Sequence, residues 1–218
     1  MTTLQTACFL TSTGISIRVY QPCGGIILTD MGEATNRVRS TKSASTDPYN
    51  VPFDDTGILK VDETPGWEVL KQKAQPVTEF DAEFKETALS MVPRMYRAHG
   101  CGLAAPQVGI SKRFLIYDAG NGPTVVVNPV ITKERGEQFE PSEGCLSLPR
   151  IKARIRRPNV ITVKAQDING NELFIRATEL EARILCHEID HLDGILITDR
   201  ASGEDIRIIT GDDDEDDF

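Results

Sequence analysis

Histidine is scarce in this chain, three in 218 residues, and tryptophan occurs once. Long apolar runs are missing altogether. Nothing approaches the roughly 20 continuous apolar residues that cross a bilayer, so no membrane span is expected. Positive charge is also in short supply, with 24 Lys and Arg against 33 Asp and Glu. Nucleic-acid binding draws its main energy from clustered cations on phosphates, so no nucleic-acid partner is expected. The five cysteines, Cys8, Cys23, Cys101, Cys145 and Cys186, are odd in number and scattered, and no basic segment followed by an apolar one precedes them. A reducing compartment fits this pattern better than a secreted disulfide framework.

What is present suffices for one substantial core, with 39% hydrophobic and 26% charged residues. Much of the net charge of −9 is local, concentrated in the run Asp212, Asp213, Asp214, Glu215, Asp216 and Asp217. Residues 204–218 therefore read as a solvated acidic tail. Residues 1–55 are rich in Thr, Ser and Gly without a sustained period. They read as a poorly ordered leader, with an organellar transit peptide as the alternative given Arg37, Arg39 and Lys42 among hydroxyl residues. The body, 56–203, has a different texture.

Within it, Phe84, Ala88, Leu89, Met91, Val92 and Tyr96 recur at helical spacing, with Asp81 placed to cap the helix and Gly100 to stop it. Apolar β-branched runs at 113–118 and 124–130 read as strands joined by a turn. Runs at 158–166 and 172–177 read as a second strand pair around an Asn-Gly-type turn. Thr178 is placed to cap a second helix, with Glu181 in capping-box position and Gly194 at its stop. Strands and helices without regular alternation indicate an α+β fold.

Two of the three histidines stand in His187-Glu188-Ile189-Asp190-His191. Four residues make about one helical turn, so both imidazoles can reach one cation, with Glu188 at its edge. The same pattern serves zinc proteases, and by itself leaves several hydrolases open. Catalytic sites commonly use three protein ligands. Cys145, in Glu143-Gly144-Cys145-Leu146-Ser147-Leu148-Pro149, reads either as a thiolate completing such a set or as a small buried hydrophobe. Gly144 permits close backbone approach there, and Pro149 is expected to end the segment. Gly100-Cys101-Gly102-Leu103-Ala104-Ala105-Pro106-Gln107-Val108-Gly109 reads as a tight loop with an amide donor at Gln107.

Together and in this order, the three segments resemble the motifs of the peptide deformylases, which remove the N-formyl group from new polypeptides. The resemblance runs from about Ile58 to Ala201. It implies small mixed or antiparallel sheets packed around a central helix that carries the histidine pair. It also implies Cys145, His187 and His191 as metal ligands and Glu188 as general acid and base. The Gln107 amide and the Leu146 N–H would point at the formyl oxygen. The backbone of Gly100, Cys101 and Gly102 would pair with an extended peptide, with Gly144 also at the substrate. Fe(II) is the ion implied, with Zn(II), Ni(II) or Co(II) as substitutes. The partners implied are nascent N-formylmethionyl chains and the ribosome that makes them. The site of action would be the cytoplasm of a bacterium, or a plastid or mitochondrion if residues 1–55 are a transit peptide. Cys101 and Cys186 depart from the family pattern and are expected to be packing residues, and Asp190 is expected to orient an imidazole or to pair with Arg157.

Overall fold

The computed structural model describes residues 8–10, 16–18, 56–139 and 142–209. The chain divides into units Met1–Val51 and Pro52–Phe218. In the first, β1 (Cys8–Leu10) and β2 (Ser16–Arg18) pair antiparallel. The expectations for the rest of the leader and for the acidic run at 212–217 lie outside the described residues.

The second unit opens with a 3-10 turn at Trp67–Lys71, then α1 (Ala82–Arg97), β3 (Gly102–Ala104) and a further 3-10 turn at Ala105–Val108. It continues through β4 (Phe114–Tyr117), β5 (Thr124–Arg135), β6 (Gln138–Phe139), β7 (Glu143–Cys145), β8 (Leu148–Ala153) and β9 (Arg156–Arg157). Last come β10 (Val160–Gln166), β11 (Glu172–Thr178), α2 (Glu179–Leu192), α3 (Ile197–Arg200) and β12 (Ile206–Ile208). The fold is α+β. Its main sheet has the order β11-β10-β5-β4-β3, a smaller one the order β12-β8-β7, and β6 pairs with β9. Each of these strand pairings is antiparallel.

The four residues of β4 are all buried because the sheet is covered on both faces at this end. Side chains alternate across a strand. Phe114 and Ile116 pack with Ala88, Met91 and Met95 of α1, while Leu115 and Tyr117 pack with Ala182, Leu185 and Ile189 of α2. On β10 and β11 Lys164 and Phe174 face solvent, which explains the clean polar–apolar alternation of β10.

Asp81 caps α1 as its sequence suggests, accepting from the Phe84 N–H at 2.8 Å. The stop is one residue earlier than expected. His99, at φ +55°, takes the left-handed position, donating to Tyr96 O, while Gly100 N–H reaches Met95 O. This is a Schellman closure with a non-glycine residue in the strained place. Thr178 stands at the start of α2, but its side chain caps nothing, contrary to expectation. It is the last extended residue of β11, paired with Val160, and Glu181 is engaged instead by the Tyr117 hydroxyl at 2.9 Å.

Strand β5 runs to Arg135, beyond its expected end, by absorbing an irregularity. Asn128, at φ +51°, sits in it and uses its amide to hold Val77 N–H and O at 2.9 and 2.8 Å. Pro149 is extended but does not end its segment; it is the second residue of β8, next to Leu148, where the β7–β8 register shifts. Ile206–Ile208, grouped by sequence with the tail, pairs with Ala153, Lys152 and Ile151 of β8.

At the far end of α2, Gly194 N–H meets His191 O and Ile195 N–H meets Asp190 O, a second Schellman closure with Gly194 at φ +75°. A Cβ here would stand 2.8 Å from the Lys71 carbonyl carbon and oxygen. Left-handed backbone and backbone collision add, so Gly194→Ala is expected to destabilise the protein by about 2 kcal/mol or more. An unchanged urea midpoint would reject this.

Candidate active site

Three elements bring the sequence-identified residues together. The β7–β8 hairpin pairs Cys145 with Leu148 across a two-residue turn, Leu146 and Ser147. Strand alternation turns Glu143 and Cys145 inward and leaves Gly144 exposed. α2 presents His187 and His191 one turn apart, with ring centroids 5.0 Å apart. The 3-10 turn after β3 supplies Gln107, of which only 1% is exposed. The segment before it ties two of these pieces together, since Leu59 N–H donates to Gln107 O and Val61 N–H to Ser147 O.

One ligand atom each from Cys145, His187 and His191 lies within 4.8 Å of the others, all three in the interior. Cys145 Sγ is 3.2 Å from His191 Nε2. His187 Nδ1 is 3.2 Å from Glu143 Oε2. Glu143 loses stability as an anion through burial, yet the hydrogen bonds from His187 and Arg157 outweigh that and bring its pKa down to about 2. An ionised carboxylate only accepts, so Nδ1 of His187 carries a proton toward Glu143. Burial opposes charge on this imidazole, but its hydrogen bonds with Cys145 and Glu143 raise its pKa well above the ordinary value, and Nε2 is the nitrogen that would serve as a ligand once its proton leaves. Burial lowers His191 well below the ordinary imidazole value, with positive His187 adding to it. A thiolate and two imidazoles form a donor set suited to borderline divalent ions such as Zn(II), Fe(II), Ni(II) and Co(II). The residues therefore fit a metal.

Glu188 is 4% exposed, and its Oε2 is a buried oxygen without a hydrogen-bond partner among the described residues. Burial pushes its pKa up to about 7; the charge of His187 opposes this and that of Glu143 adds to it. Gly102 lies against it, and a Cβ there would stand 2.8 Å from Glu188 Cγ and Cδ. At Gly100 a Cβ would meet Leu146 Cδ1 at 2.7 Å. Thus the glycines of the first motif make room for the acid and for the hairpin turn. Gly144 has no such neighbour within 4 Å among the described residues.

Gln107 is held in one orientation. Its Oε1 accepts from Ala104 N–H at 2.8 Å, and Nε2 donates to Ser147 Oγ at 3.2 Å with Cys145 Sγ at 4.0 Å. The amide donors consequently face the hairpin turn.

With these distances in place, comparison with known proteins decides the family. Residues 57–206 match the profile of the polypeptide deformylases. The chain belongs to that family. It is 47% identical over 134 residues to the peptide deformylase of Thermotoga maritima, covering 62% of this chain and 82% of the relative. With that of Alkaliphilus metalliredigens it shares 43% over 143 residues, covering 66% and 95%. The Thermotoga maritima crystal structure superposes with a TM-score of 0.63 at 43% identity, covering 66% of this chain and 96% of that one. Arabidopsis thaliana peptide deformylase 1B in complex with an inhibitor gives a TM-score of 0.62 at 34% identity, covering 68% and 82%. Membership makes the chain a hydrolase of a metal-dependent kind. Among the described residues, no helix is long and apolar enough to cross a membrane.

Two residues that shape the site, Glu143 and Arg200, were not singled out by sequence. Glu143 contacts His187, and its place two residues before Cys145 on a strand was a usable signal, because both must share a face. Arg157 binds both Glu143 oxygens, at 2.9 and 3.0 Å, and Asp190 Oδ2 at 2.6 Å. Arg200 closes on the other side of Asp190. Asp190 therefore pairs with Arg157, one of its two expected roles, while the residue at the His187 imidazole is Glu143. Cys186 is buried among sheet residues, and burial raises its pKa to about 12, in keeping with a packing role. Cys101 also packs at that cluster.

Proposed function

We propose that the chain hydrolyses the N-formyl group from N-formylmethionyl ends of newly made polypeptides, releasing formate. The observation that carries this reading is the convergence of Cys145, His187 and His191 beside the buried, unpaired Glu188 oxygen. A divalent ion held by those three side chains, Fe(II) by resemblance, supplies Lewis acidity that brings a water pKa from about 15.7 toward about 7.

The remaining work falls to the chain's own groups. β3 ends the order of the main sheet, so one edge of Gly102–Ala104 is open in that sheet for an extended peptide to add as a strand. Gly100 and Gly102 leave room for Leu146 and Glu188 beside that edge. Glu188, with a pKa near working pH, takes a proton from the attacking water. Oxygen bonds to the formyl carbon, and negative charge moves to the carbonyl oxygen, where Gln107 Nε2 and Leu146 N–H donate. Glu188 then delivers the proton to nitrogen as the C–N bond breaks, leaving formate and a free amine.

Formate release from formyl-Met-Ala-Ser by the anaerobic Fe(II)-loaded protein is the test, and no release would overturn the reading. Cleavage of unblocked casein would favour a metalloprotease, which shares the helix motif. Nascent chains on the ribosome are the natural substrates on this reading. Fusing residues 1–55 to a fluorescent protein tests them as an organellar address.

Gln107→Glu keeps the acceptor for Ala104 N–H and removes the donor. Loss of one such donor is worth about 3 kcal/mol in the transition state, so kcat should fall roughly 100-fold or more. Wild-type kcat in this variant would remove Gln107 from the mechanism.

A further inference from the structure

A continuous line of buried charge runs from α3 to the candidate metal ligands. Arg200 engages both oxygens of Asp190. Asp190 Oδ2 accepts from Arg157, and the other edge of the same guanidinium forks across Glu143. Glu143 Oε2 in turn meets His187 Nδ1. Arg157 and Glu143 side chains are only 5% and 6% exposed, and Asp190 10%, so water does not compete for these bonds. Only Arg200, at 46%, reaches the surface.

The fork has a geometric consequence. Two parallel N–H···O bonds fix the plane of the Glu143 carboxylate as well as its position. Among the described residues that carboxylate is the group seen on His187 Nδ1, and it fixes Nδ1 as the protonated nitrogen and with it the direction of Nε2. The third Arg157 donor anchors the guanidinium to α2, the helix that carries His187 itself, so that strand and helix are registered through one planar group. Lysine offers a point charge on a flexible stem and could satisfy the charge but not the plane.

We propose that Arg157 is the positioning residue of this site, setting the His187 imidazole through Glu143 and thereby the affinity and symmetry of the bound metal. The proposal rests on the metal-dependent reading above. Full-length protein loaded anaerobically with Co(II) supplies the test, using chelator competition, the visible Co(II) spectrum and steady-state kinetics on the same samples. For Arg157→Lys we expect Co(II) to bind 10- to 100-fold more weakly, the Co(II) bands to shift, and kcat to fall with KM within about twofold. Glu143→Gln, which leaves the guanidinium paired with Asp190, is the second variant should Arg157→Lys not fold, and the same spectral shift is expected. Lys71→Gln, which loses only the surface pair with Asp199, should match the wild type in all three measurements. A folded Arg157→Lys or Glu143→Gln protein with wild-type Co(II) affinity and spectrum would overturn the proposal. Wild-type protein that takes up no Co(II) would instead overturn the metal-dependent reading on which it stands.

Discussion

Replacing Cys145 with alanine is expected to give a folded protein that holds no divalent ion after desalting and releases no formate above background. Catalytic metal sites ordinarily draw three ligands from the protein, and two imidazoles alone leave that set incomplete. The fold itself should survive, because the thiol contributes a small volume to a cluster otherwise built from Leu70, Leu148, Ala153, Ile155, Leu196 and Ile197. Loss of one sulfur there costs about 1 kcal/mol. Calorimetry separates the two effects. An ion at 100 times its Kd stabilises the native state by about 2.7 kcal/mol. Chelator should therefore lower the wild-type Tm by several degrees and leave that of the variant unmoved. Stoichiometric metal in desalted Cys145→Ala would end the case for a thiolate ligand.

Glu188→Gln should separate chemistry from metal binding. The replacement preserves shape inside a site that is 4% exposed and removes only the capacity to take and return a proton. General acid–base catalysis is worth about 10²- to 10⁴-fold, so kcat/KM for formyl-Met-Ala-Ser should drop within that range while metal content stays at the wild-type level. Stability is expected to hold or to rise, because the variant no longer buries a carboxylate whose Oε2 lacks a partner. Equal turnover by wild type and variant would remove Glu188 from the reaction.

The parts of this architecture that were legible in sequence share a physical cause: they are local. The periodicity of Ala88 and Met91, the Asp81 cap and the Gly194 stop each depend on neighbours within one or two turns, and each appears in the structure, whereas Leu89 of the same reading faces solvent. The histidine pair belongs to the same class, since helical geometry alone brings it together. The Cys145 sulfur was legible in its own segment only as one of two readings, and the resemblance chose between them, because residues 145 and 191 meet by long-range packing. Long-range packing also hid the Arg157 fork. Arg157 is anticipated as a partner of Asp190 but not of Glu143, and it lies in a stretch with Arg150, Lys152, Arg154 and Arg156 from which nothing local distinguishes it. Only the antiparallel placement of β9 near α2 turns one of these arginines inward, to 5% exposure. The Thr178 cap failed for a related reason. A strand ladder claimed the residue before the helix could use it, and tertiary pairing outranked a local signal.

The tightness of the β7–β8 connection limits how this segment can vary. A candidate ligand, a candidate main-chain donor and the hydroxyl that steadies Gln107 occupy three consecutive positions, Cys145, Leu146 and Ser147. Inserting a single residue before Leu148 would slip the pairing and turn side chains to the opposite side of the ribbon. Exchanges of side-chain type can be absorbed there one at a time, whereas a change of length would disturb all three positions at once.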